Sequence, residues 1–298
     1  MKYDKLFETA KIGSLTLKNR FIMGAMGVGF AEMNGNPTDR TVAYYEERAK
    51  GGYALIITEV TRVQDTEFCT PLEPSLGSDK FIPGWKKVTD AVHAQGAYIF
   101  PQLHQPGRQY TKAILGHDTS APSPIACPVF DETPHELTTE EVWDNIHMFG
   151  DAAVRAKKAG FDGVEIHAGH GYLVQQFLSQ FSNRRFDEFG GSIENRARFA
   201  CEICKDIKKK CGEDYPVIIK LSGEEKVPGG MTISDTKIIA KYLEEAGYDA
   251  IEVTICNYAS LDWMSAPEDE PMGFNAYNAE KIKEGVHIPV AAIDRINT

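Results

Sequence analysis

Two histidines and a tyrosine fall within six residues in His167-Ala168-Gly169-His170-Gly171-Tyr172. Two imidazole N–H groups can hold a carbonyl oxygen and stabilise negative charge developing there, and a nearby phenol can supply a proton. Histidines three apart also suggest a metal centre, but no carboxylate or thiol stands out as a third ligand, so no metal is expected. The bland reading is three hydrogen-bonded polar groups in a loop. The residue types fit a proton-donating tyrosine beside two carbonyl-polarising imidazoles better than either alternative. Lys220, in Lys220-Leu221-Ser222, is open to three roles: Schiff-base nucleophile, anion partner or snorkelling core residue. Gln102 carries both a donor and an acceptor and can read the edge of an amide-like ring. Gly24-Ala25-Met26-Gly27-Val28-Gly29 is either a tight turn or a place where backbone approaches a flat ligand.

These groups share a position in a repeated phrase: a helix end, a glycine, then a β-branched run. Ala159-Gly160-Phe161-Asp162-Gly163-Val164-Glu165-Ile166 returns as Ala246-Gly247-Tyr248-Asp249-Ala250-Ile251-Glu252-Val253, with looser copies at Gly52 and Gly96. The glycine stops a helix and the apolar run is a strand buried on both faces. Further strands begin at Pro216 and Pro289, and the first covers Arg20-Phe21-Ile22-Met23. Between them lie helices over about 38–50, from Pro83 to Gly96, from the capping box Thr138-Thr139-Glu140-Glu141 onward, and over 193–211, 233–246 and 276–284. Alternation of this kind implies a parallel sheet with right-handed crossovers. The expected fold class is α/β, a TIM (β/α)8-type barrel, in which functional groups gather at the C-terminal strand ends. Gly24–Gly29, Val60, Gln102, His167 to Tyr172 and Lys220 all fall there. The proline-rich connection from Gln105 to His135 would roof that face.

With 32 basic and 43 acidic residues, the net charge of −11 argues against a nucleic-acid or anionic-membrane surface. The one dense basic run is Lys208-Lys209-Lys210. Six cysteines in 298 residues are too few for a disulfide scaffold. Cys201-x-x-Cys204 lies inside a helical pattern with no second pair, so zinc or redox use is not expected there. No stretch approaches the ~20 apolar residues of a membrane span, so a cytoplasmic, soluble protein is expected.

At its strand ends the sequence resembles the Old Yellow Enzyme family of FMN-dependent ene-reductases. It is closer to the branch of NADH:flavin oxidoreductases, 2-enoate reductases and 2,4-dienoyl-CoA reductases. The most specific stretch is Gly163 to Leu173, continuing through Gln176-Phe177-Leu178-Ser179, Asn183-Arg184-Arg185, Asp187-Glu188-Phe189-Gly190-Gly191-Ser192 and Glu194-Asn195-Arg196; Gln102-Leu103 with Gly107-Arg108 is a second, weaker match. The resemblance runs from Leu6-Phe7 to Ile288-Pro289-Val290. It implies that Ala25, Met26 and Gly27 with Val60 line FMN, that Gln102 bonds its pyrimidine edge, that Lys220 stabilises its reduced form, and that Arg295 stands at its phosphate. It further implies that His167 and His170 hold a substrate carbonyl, that Tyr172 protonates the α-carbon after hydride reaches the β-carbon, and that NADH or NADPH is the reductant. The implied partner is a small unsaturated carbonyl compound: an enone, enoate or dienoyl thioester.

The chain departs from the family at several points. Gly27 stands where Thr or Cys is common, Lys220 where arginine is usual, His104-Gln105-Pro106 where an aromatic-His-small sequence is usual, and Asp294 where glycine is preferred. Seven strands are read where a barrel has eight. Residues 1–298 are therefore expected to form one FMN-binding domain lacking the eighth βα unit, with weak FMN retention. A longer parent chain would add an iron–sulfur cluster and FAD. The alternative is a truncated or split-gene fragment without independent flavin binding; the expected protein partners are a complementing C-terminal segment or a second copy in a homo-oligomer. A lysine-dependent aldolase using Lys220 is the third reading.

Overall fold

The computed structural model describes residues 3–264, 266 and 268–296; the ends of the expected 1–298 domain lie outside the described residues. Seven strands form one sheet: β1 (Ile22–Met23), β2 (Leu55–Arg62), β3 (Tyr98–His104), β4 (Val164–Ala168), β5 (Val217–Ser222), β6 (Ala250–Thr254) and β7 (Val290–Ala292). Their order is β7-β6-β5-β4-β3-β2-β1, so each strand lies beside its predecessor. The recorded registers are parallel. Between them run α1 (Asp39–Lys50), α2 (Ile82–His93), α3 (Thr139–Lys158), α4 (Ile193–Cys211), α5 (Ile233–Ala246) and α6 (Ala276–Lys283). Every residue of β4, β5 and β6 is buried, as strands covered on both faces require.

The helix signals work as their chemistry dictates. Thr138 N–H donates to the Glu141 carboxylate at 2.7 Å and Glu141 N–H to Thr138 Oγ1 at 3.2 Å, the reciprocal box that satisfies the first free donors of α3. Thr232 and Asp235 do the same for α5. Gly160 and Gly247 adopt φ of 91° and 104°, conformations that side-chain-bearing residues avoid. Lys208, from the basic run, sends its ammonium to the carbonyls of Glu213 and Tyr215, both at 3.0 Å. The run lies in the last turn of α4, where cations complement the helix dipole.

The chain divides into two compact units, Met1–His104 with Met148–Ile166 and Ile207–Val217, and Gln105–His147 with His167–Asp206 and Ile218–Thr298. In the first, Trp85 is fully buried edge-on to Phe161, and a Cβ on Gly163 would come within 2.5 Å of Phe100. In the second, Phe177 stacks on Phe199 with centroids 4.2 Å apart. The connection after β3 is ordered by arginine: Arg108 donates to the carbonyls of Ile125 and Ala126. Arg185 donates to those of Pro122 and Leu137. The same connection carries a small parallel ribbon, Ser120–Ala121 with His135–Glu136. An N-terminal hairpin, Ala10–Ile12 with Leu15–Leu17, lies outside the repeat and was not anticipated; β1 starts at Ile22, two residues later than read.

Among the described residues no helix is long and apolar enough to cross a membrane, and the six cysteines are free. Burial raises the Cys201 thiol to about 12. Both cysteines of the C-x-x-C are buried in α4.

Candidate active site

Within the second unit the end of β4 brings His167, His170 and Tyr172 together. The His167 and His170 rings meet edge-on with centroids 5.2 Å apart, and His167 lies 4.9 Å from Tyr172. The chain achieves this with two successive left-handed residues, His170 (φ 58°) and Gly171 (φ 77°). A Cβ at Gly171 would lie 2.6 Å from Gln109 Oε1 and 2.9 Å from Asn257 Cβ, so both conformation and space demand glycine. Its peptide groups are pinned from the helix that follows: Gly171 N–H donates to Gln175 Oε1 and its carbonyl accepts from Gln176 Nε2, both at 2.8 Å. Gln175 is fixed in turn by Ser222 Oγ at 2.9 Å and by the Glu225 carboxylate at 2.8 Å. Asn257 Nδ2 and Met231 N–H also donate to Glu225.

Hydrogen bonding sets the proton positions. Gly169 N–H donates to His167 Nδ1 at 3.3 Å, which makes Nε2 the protonated nitrogen of a neutral ring. His170 Nε2 lies 2.9 Å from Thr254 Oγ1. Burial, reinforced by the Lys220 ammonium, drives the His170 pKa down to about 3, so this imidazole is neutral in ordinary buffers. Tyr172 shares a hydrogen bond of 2.9 Å with the hydroxyl of Tyr258. Tyr258 and Thr254 were missed in the sequence. Thr254 closes β6, and the strand-end rule would have found it; Tyr258 follows in a short 3-10 segment and carried no such signal.

Lys220 forms a buried ion pair with Glu252 at 2.5 Å. Of its three readings, the anion partner is what the geometry supports. The adjacent Glu252 carboxylate gives the side chain an anionic partner within the core. Asp294 accepts from Asn275 Nδ2 at 2.9 Å; burial raises its pKa to about 6 despite Lys220. Arg295 donates to the Glu270 carbonyl at 2.8 Å. With Asp294, Trp263 and Phe274 it lines a cavity of about 510 Å³.

In the first unit, Val60 and Gln102 are register partners, and the β2–β3 register shifts between Ile57 and Val60. Val60 is the one residue of β2 that is not buried. Glu59 Oε2 accepts from Val28 and Gly29 N–H, each at 2.9 Å, tying the loop that carries Ala25, Met26 and Gly27 to this strand. Met26 is 53% exposed, and a Cβ at Gly27 would meet nothing within 4 Å. Gln102 Nε2 donates to Glu165 at 2.5 Å, which fixes the amide's orientation, since a carboxylate only accepts. An uncovered backbone ribbon tied to the strand that pairs with an oriented amide fits a flat heteroaromatic ring with polar edges.

The sequence pattern of the NADH:flavin oxidoreductase / NADH oxidase family matches residues 5–298. The chain belongs to this family. It is similar to an NADH oxidase from Thermoanaerobacter brockii, 42% identical over 295 residues, which span 98% of this chain and 45% of the relative. A cinnamate reductase from Clostridium sporogenes is 40% identical over 317 residues, spanning 99% of this chain and 48% of the relative. A solved 2-naphthoyl-CoA reductase in complex with 2-naphthoyl-CoA has a TM-score of 0.94 at 31% identity, over 99% of this chain and 47% of that one. The chain thus spans about half the length of these relatives. Its fold is the α/β, (β/α)8-barrel type of the family, with seven sheet strands among the described residues. As in the family, FMN and a nicotinamide nucleotide are the cofactors.

The family signature over 176–196 has a structural explanation. Asn183 Nδ2 donates to the carbonyls of Phe177 and Phe189. Arg196 holds those of Leu178 and Gly191 at 2.8 and 2.7 Å. These side chains satisfy buried backbone in the segment after Tyr172.

Proposed function

We propose that this chain is the flavin- and substrate-binding domain of a cytoplasmic NAD(P)H-linked reductase of activated C=C bonds, acting on a small α,β-unsaturated carbonyl compound. The observation that carries the reading is the His167–His170–Tyr172 cluster, with one imidazole held neutral and the phenol already hydrogen-bonded. The named activities of the cinnamate and 2-naphthoyl-CoA reductases support the substrate class. FMN, when bound, supplies the hydride. Ala25, Met26, Gly27 and Val60 would line its ring; Gln102, with one N–H held by Glu165, would offer its amide oxygen to a ring N–H. Lys220 would stabilise negative charge on the reduced ring, and Arg295 would serve the phosphate.

The protein's own part is polarisation and proton supply. His167 Nε2–H and the His170 ring would hold the substrate's carbonyl oxygen. Two neutral donors bind a carbonyl modestly and an enolate oxygen strongly, so they favour the transition state over the ground state. Tyr172 would give its proton to the α-carbon, and Tyr258 stabilises the phenolate left behind. Positioned proton donors contribute about 10²–10⁴-fold. The test is Tyr172→Phe in the FMN-loaded chain. Enone reduction should fall by about 10²-fold or more while reduction of the flavin by NAD(P)H is spared. Tyr258→Phe should cost about fivefold, the loss of one hydrogen bond of ~1 kcal/mol. Enone turnover unchanged in Tyr172→Phe would refute the assignment, and failure to bind FMN would refute the domain's role.

A further inference from the structure

A second cluster lies in the first unit, among residues that the reductase chemistry does not use. Cys69, Glu73 and His104 each present one ligand-type atom, and the three atoms lie within 4.8 Å of one another. Cys69 Sγ is 3.1 Å from His104 Nε2. Glu73 and His104 are buried, at 2% and 0% exposure. Cys69 is the one partly exposed cysteine among the six described. Glu73 Oε2 accepts from Cys69 N–H at 2.7 Å. Glu73 Oε1 is buried with no hydrogen-bond partner, a state that costs about 1–3 kcal/mol unless something fills it.

We propose that Cys69, Glu73 and His104 bind a thiophilic divalent cation of the Zn2+ class, with the fourth position open to solvent beside Cys69. Thiolate, imidazole and carboxylate are the ligands zinc takes, at about 2.3 Å for sulfur and about 2.0–2.2 Å for nitrogen and oxygen. Tetrahedral bonds of those lengths put ligand atoms about 3.3–3.6 Å apart, so side-chain movements of about an ångström complete the site. The scaffold is already set. Arg62 donates to the carbonyls of Asp65, Thr70 and Pro71, which holds the loop bearing Cys69 and Glu73 against β2. Glu73 N–H closes a turn onto Thr70 at 3.0 Å. His104 ends β3, two residues beyond Gln102 and so on the same strand face, and its neighbour across the sheet is Arg62. The site is thus built at the strand end that carries the candidate ring-edge residue, from side chains with no assigned role in hydride or proton transfer.

The experiment is a titration of the full chain, reduced and freed of metal, first with Co2+ and then with Zn2+. Expected is one Co2+ per chain, with the visible bands of tetrahedral cobalt and a thiolate-to-cobalt charge-transfer band that Zn2+ abolishes. Cys69→Ser should remove the charge-transfer band and weaken affinity at least tenfold, whereas Cys201→Ser should leave both intact. Glu73→Gln should keep the band but weaken affinity, which covers the case in which a Cys69 variant folds poorly. Absence of the band in the wild-type chain, its survival in Cys69→Ser, or cobalt binding no tighter than millimolar would overturn the proposal. None of these readouts depends on flavin or on turnover.

Discussion

Replacing His170 by asparagine should alter how stability depends on pH, by an amount that the site geometry fixes. Burial and Lys220 hold the folded pKa of His170 at about 3, whereas an unfolded histidine titrates near ~6.5. Between those values the unfolded chain binds one more proton than the folded chain. Stability from this residue is therefore fully present above the unfolded value and is lost as pH falls toward the folded one. The slope is about 1.4 kcal/mol per pH unit, so the loss from pH 7.5 to 4.5 is at most about 2.7 kcal/mol. His170 retains some surface, and water screening reduces the expected figure to about 1–2.5 kcal/mol. Asp294 works in the opposite sense. Its folded pKa, about 6, lies above the unfolded value, so the folded chain binds the extra proton and gains stability as pH falls through that window. The two trends offset one another in the wild-type chain, and His170→Asn should uncover the Asp294 trend. Urea unfolding of both proteins at several pH values between 7.5 and 4.5 gives the difference directly. The variant should gain on wild type steadily with acidification. A difference independent of pH would show that His170 titrates normally, and the neutral-imidazole argument would fall with it.

Two further perturbations follow from buried charge. Lys220→Met leaves Glu252 without its cation and should destabilise the chain by about 3–5 kcal/mol, and the Lys220→Met/Glu252→Leu double variant should recover much of that loss; thermal melts of the three variants decide it, and additive losses would deny the pairing. Arg185 bonds Asp187 through two nitrogens, at 2.9 and 2.5 Å, and two backbone carbonyls; burial opposes the Asp187 charge, but Arg185 and Thr139 prevail and hold its pKa near about 2. Lysine cannot reproduce that fork, so Arg185→Lys should cost about 2–3 kcal/mol and open the 105–135 connection to proteolysis; unchanged cleavage there would refute the anchoring role.

The division between legible and illegible features has a physical basis. Strand and helix order could be read because each βα unit repeats a local signal: a glycine whose backbone must turn left-handed, a capping box, a run buried on both faces. Gly160, Gly247 and the Thr138–Glu141 box behave accordingly. The catalytic candidates could be read because strand ends concentrate function, which led directly to His167, His170, Tyr172 and Lys220. What stayed hidden depends on partners distant in sequence. Glu252 occupies an ordinary strand position, and only the 2.5 Å contact with Lys220 reveals that the two form a buried ion pair. Thr254 is 84 residues from His170, and Tyr258 is 86 from Tyr172. Cys69 and His104 lie 35 residues apart, with only the loop fold to join them. The sequence stretch that carried the resemblance, borne out by the family match, is partly structural. Asn183, Arg185 and Arg196 in it bond backbone carbonyls, so a variant at these positions should damage stability before chemistry. The proposed chemistry rests on a few residues around β4 and β6; Gln175 and Gln176 hold Gly171 in place, while Asn183, Arg185 and Arg196 bond backbone carbonyls elsewhere in the second unit.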